Sequence, residues 1–73
     1  MASDLSEMEK LAHLLQHWQE HNDDHIATYN QWADRADAHG QTMAADFIRQ
    51  AAKATAEISE LFTQAKSALD PLS

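Results

Sequence analysis

The sequence predicts an all-α chain folded as an antiparallel two-helix hairpin that dimerises into a four-helix bundle. Three observations carry this. The 73 residues contain one Gly and one Pro, so little interrupts regular structure. Apolar residues recur at helical spacing through two long stretches, and a single "HG" step divides them. The chain forms one domain, residues 1–73, with a helix over 5–38, a turn over 39–42 and a helix over 43–69.

The first helix follows from Met8, Leu11, Leu15, Trp18, Ile26, Tyr29, Ala33 and Ala36, whose steps of three, four and eight keep one face. Ser6 and Glu9 in "SEME" have the spacing of a capping box, and Ser3 or Asp4 offers a cap one turn earlier. Gly40 suits the left-handed conformation that closes a helix, and Thr42 suits the cap of the next. The second face repeats through Ala44, Phe47, Ile48, Ala51, Thr55, Ile58, Phe62, Ala65 and Leu69, and Asp70 with Pro71 ends it. Two helices cannot cover each other's apolar stripes, so Trp18, Trp32, Phe47, Leu61 and Phe62 call for further cover. A second copy related by a twofold axis is the commonest way to supply it.

Composition excludes several functions. Twelve acidic against five basic side chains give a net charge of −7 with His neutral, which removes the attraction behind nucleic-acid binding and disfavours anionic membrane surfaces. No apolar run nears the roughly 20 residues of a membrane span. The opening "MASDLSEMEK" lacks a signal peptide's basic and apolar regions, so the cytoplasm is the expected compartment. No Ser-His-Asp order, glycine loop or paired-carboxylate cleft supports catalysis, and the chain is expected not to be an enzyme.

What stands out is imidazole. His13, His17, His21 and His25 follow one another at intervals of four. Each such step advances about 40° around a helix, so the series spirals from solvent toward the core rather than stacking. With Leu11, Trp18, Tyr29 and Ala36 at the centre of the buried stripe, Asn22 and His25 fall inside it, His21 at its edge, and His17 and His13 progressively outside. A hairpin turning at Gly40 sets His25 level with Thr55, Asn22 with Ile58 and Tyr29 with Ala51, opposite the small side chains of "AAKATAE". Two readings are open. His21 and His25 form an i, i+4 chelating pair that a symmetry mate completes, with His17 and His13 as outer ligands, Glu57 as a carboxylate ligand or support, and Ni or Zn as the ion. Alternatively, Asn22, His25, Tyr29 and Thr55 are a hydrogen-bonded polar layer that fixes register in a helical dimerisation or protein-interaction module without metal. His39, beside the turn, reads as a helix C-terminal residue that favours the local dipole.

The stretch "LAHLLQHWQEHNDDHIATYNQWADRA" resembles an uncharacterised family of small His-rich helical domains with a pattern close to H-L-L-x-H-W-x-x-H-N-x-x-H, then an aromatic residue and W-A. His13, Leu14, Leu15, His17, Trp18, His21, Asn22, His25, Tyr29, Trp32 and Ala33 carry the match. Such domains are found alone or appended to CooT-type nickel-binding proteins. The resemblance implies a place in transition-metal handling, with nickel as a candidate ion and a metal-handling protein as a candidate partner.

Overall fold

A computed structural model describes residues 6–69 as two helices, α1 (Glu7–Ala38) and α2 (Thr42–Ala68), packed as an antiparallel hairpin. None of the described helices is long and apolar enough to cross a membrane. The molecule measures 58 × 20 × 10 Å, two helices wide and one deep. That single layer governs everything else about it.

Local signals explain where the helices begin and end. Ser6 is extended and its Oγ accepts from the Glu9 amide at 3.1 Å, while Glu9 Oε1 accepts from the Ser6 amide at 2.9 Å, the reciprocal capping box. At the other end Gly40 takes φ +79°. The Gln41 amide donates to Ala36 O at 2.8 Å and the Gly40 amide to Asp37 O at 2.9 Å, the pair of bonds that closes a helix around a left-handed residue. Nothing lies within 4 Å of a Cβ built on Gly40, so its φ, not lack of space, requires glycine.

The start of α2 differs from the sequence expectation. Thr42 does not cap α2; Gln41 occupies the cap position, without a side-chain bond, and Thr42 is the first helical residue. The closing turn draws Gln41 against the end of α1, so the chain re-enters a helix one residue sooner. Leu69 is already extended; Leu5, Asp70 and Pro71, placed at the outer helix boundaries, lie outside the described residues.

The seam is a heptad. On α1 the seam runs through Ala12, Leu15, Gln19, Asn22, Ile26, Tyr29, Ala33 and Ala36; on α2 it runs through Ala45, Ile48, Ala52, Thr55, Ser59 and Phe62, and Leu11 and Arg49 are half-buried beside it. Steps of three and four alternate along α1 and from Ala45 to Phe62, the pattern of helices wound on one another with a 3.5-residue repeat. Ala33, Ala45, Ala52 and Ser59 are its buried small residues and Leu15 its one buried large residue, so the backbones approach closely and little apolar volume is enclosed.

The two edges of the seam differ. On one, Arg49 reaches Asp34 at 2.9 Å and Asp37 at 2.7 Å, and Lys66 Nζ donates to Gln16 Oε1 at 2.6 Å. Hydrogen bonds to Asp34 and Asp37 raise the pKa of the Arg49 guanidinium above its ordinary value. On the other edge lie Leu11, Trp18, His25 and Trp32 of α1 and Ala44, Ala51, Ile58 and Ala65 of α2.

Two substitutions test the seam. The Ser59 hydroxyl is buried without a hydrogen-bond partner, so Ser59→Ala should raise stability by about 1 kcal/mol in urea unfolding. Ala33 is 0% exposed, and Ala33→Leu should cost about 1–3 kcal/mol by separating the helices. A stability loss in the first, or none in the second, would contradict this packing.

Candidate functional site

Beside the seam, an open groove of about 360 Å³ runs between the helices at mid-height. Trp18, His21, Asn22, His25 and Tyr29 line it from α1, and Thr55, Ile58 and Phe62 from α2. Trp18 and Phe62 close its far end with ring centroids 5.6 Å apart and planes at 53°, within the range of favourable aromatic pairing. His25, Asn22, Thr55 and Ile58, which the turn at Gly40 was expected to bring to neighbouring levels, all line this groove.

Along α1 the rings form a ladder. The centroids of His17 and His21 lie 6.1 Å apart, those of His21 and His25 4.5 Å, and His25 stacks on Tyr29 at 5.8 Å with planes 13° apart. Each step of four carries the ring about 40° further round, from the solvent face at His17 to the seam at Tyr29.

The spiral is as expected, but its phase is not. His25 was expected inside the buried stripe; within one chain it is exposed, as are His21 and Trp18, while Asn22, Tyr29 and Thr55 are half-buried. A stripe centred on Leu11, Trp18, Tyr29 and Ala36 mixes seam and edge positions. A second helix touches only a narrow line, and that line passes through Leu15, Asn22, Tyr29 and Ala36 instead. His13 and His17 are exposed on the outward side and His13 does not line the groove. Glu57 is also exposed, two positions before the buried Ser59 and turned away from the groove. Thr55 Oγ1 donates to Ala51 O at 2.8 Å within its own helix rather than across the seam.

Among the described residues of one chain, no group of three or more His, Cys, Asp or Glu side chains is arranged to hold a metal ion. One hairpin offers the His21 and His25 pair and no third ligand of these types. The groove is also not isolated. It lies in a wide apolar face that the sequence reading identified only as residues lacking cover. On α1 this face runs through Leu11, Leu14, Trp18, His21, His25, Thr28 and Trp32; on α2 it runs through Ala44, Phe47, Ala51, Ala54, Ile58, Leu61, Ala65 and Ala68. Both series repeat in alternating threes and fours, a second heptad stripe beside the first, which was the available sequence signal. Phe47 is 63% and Leu61 60% exposed, and Arg35 stacks over Trp32 at 4.6 Å.

The family described as a domain of unknown function, DUF8180, matches residues 11–69. The chain belongs to this family. The match spans both helices and their turn, so the whole hairpin, and not the His-rich helix alone, is the family's unit. Comparison with characterised proteins and with solved structures finds no match to either.

If His21 and His25 stand at an exposed edge of the seam, the isolated hairpin does not depend on them. At concentrations where the chain is monomeric, His21→Ala and His25→Ala should each leave its helical circular dichroism unchanged, with stability within about 0.5 kcal/mol of the parent. Loss of helix in either variant would place these rings in the seam.

Proposed function

We propose that this chain is a non-catalytic, self-associating helical module whose second heptad stripe binds a second copy of itself to complete a four-helix bundle. The supporting observation is the exposed apolar face. A compact monomer of 8.2 kDa exposes about 4,500 Å², whereas this chain exposes 5486 Å². The excess reflects the single-layer shape, 58 × 20 × 10 Å, which leaves the second stripe without cover. From Leu11 to Trp32 and from Ala44 to Ala68 the stripe carries no Asp, Glu, Lys or Arg, on a chain whose net charge is −7. Charge is confined to the remaining surface.

The face also complements itself. Laid against its own copy about a twofold axis crossing the helices at mid-height, Phe47 meets Ala65, Ala51 meets Leu61, Ala54 meets Ile58, and Leu14 meets Trp32. Along α2 large side chains then oppose small ones, the arrangement that fills a bundle core without voids, while Leu14 and Trp32 meet as two large apolar groups. A second function is favoured by the approach of the His21 and His25 rings at 4.5 Å: retention of a divalent transition-metal ion, for which the donor set and the family resemblance name zinc and nickel.

Sedimentation equilibrium tests the assembly. The chain should sediment at twice 8.2 kDa, and Leu61→Glu or Phe47→Glu should weaken association at least about a hundredfold, as expected for an uncompensated charge placed in an apolar interface. Gln50→Glu, on the outer surface of α2, should not. A parent chain that sediments as a monomer overturns the proposal and leaves the face to a different partner.

A further inference from the structure

We propose that His21 and His25 of two copies together form one transition-metal site at the centre of the interface, a proposal that rests on the self-association above. The first argument is geometric. With metal–nitrogen bonds of about 2.0–2.1 Å, two imidazoles sharing one ion have ring centroids about 4.5–5.2 Å apart for angles of about 90–110° at the metal. His21 and His25 are at 4.5 Å. His17 and His21, at 6.1 Å, are too far apart for this, and His17 belongs to the outward side.

Position gives the second argument. α1 runs from Glu7 to Ala38, so His21 and His25 straddle its midpoint. They are also the strongest polar interruption of an otherwise apolar stripe. The twofold axis that pairs large with small residues along α2 brings His21 of one copy onto His25 of the other. Four imidazoles then meet at one level, walled by Trp18, Ile58 and Phe62.

Incompleteness is the third argument. One chain brings two imidazoles together at this level, while a closed tetrahedral site takes four donors. The missing two come from the symmetry mate. An all-imidazole donor set selects Zn, Co, Ni or Cu over Mg or Ca. Tyr29, stacked on His25 with planes 13° apart, holds that ring's orientation from the seam side.

The test is titration of the dimeric chain with Zn²⁺ and, separately, Co²⁺, read by calorimetry and by the visible absorption of tetrahedral cobalt. One ion per two chains is expected. His21→Ala and His25→Ala, and the more conservative His21→Gln and His25→Gln, should each weaken binding about a hundredfold or more, since even supporting residues of metal sites cost 10–100-fold when lost. His13→Ala and His17→Ala should leave affinity and stoichiometry unchanged. Sedimentation of every variant in parallel separates the two proposals. A dimer that binds no ion, or binds it equally well without His21 and His25, overturns the site and leaves the assembly standing. One ion per chain on a monomer overturns both.

Discussion

Two helices meet along a single line, and each helix of this chain carries two apolar stripes. The hairpin satisfies one stripe on each helix and leaves the other facing outward, because a one-layer structure has no further surface to offer it. Most of the unusual features of the molecule follow from this mismatch: the exposed Trp18, Trp32, Phe47 and Leu61, and the groove beside the seam. It also explains why the seam can be built from Ala33, Ala45, Ala52 and Ser59. The bulky side chains lie on the other stripe.

The two edges of the seam separate the roles of charge and apolar area. On one edge, Arg49 with Asp34 and Asp37, and Lys66 with Gln16, tie the helices together in water, where exposed ion pairs are weak but orient their partners. The opposite edge carries rings and aliphatic side chains. A second chain docking on the charged edge would have to break those pairs and meet like charge. The same arrangement therefore favours docking through one face and disfavours the other.

Much of this was legible in the residues. Ser6 with Glu9 and Gly40 set the ends of α1 by local hydrogen bonding, which a sequence encodes directly. The turn at Gly40 then set the antiparallel arrangement, so the gathering of Asn22, His25, Thr55 and Ile58 around one groove could be read in advance. The phase of the seam could not be read with the same precision. Leu11, Leu15 and Trp18 are all apolar, and a 100°-wide stripe is consistent with several contact lines. What decides among them is how closely two backbones can approach, and that depends on Ala33, Ala45, Ala52 and Ser59, residues with little hydrophobic signal. His25 was consequently expected one position too deep. Thr42 was expected as a cap because its hydroxyl suits one, but the closing turn of α1 had already fixed Gln41 there.

The tight link at Gly40 also determines the order in which the hairpin assembles and comes apart. Arg49 meets Asp34 across only 15 residues of chain, whereas Lys66 meets Gln16 across 50. Closing the shorter loop costs less chain entropy, so pairing starts beside the link and proceeds toward the free ends like a zip. The imidazole level lies midway along that path.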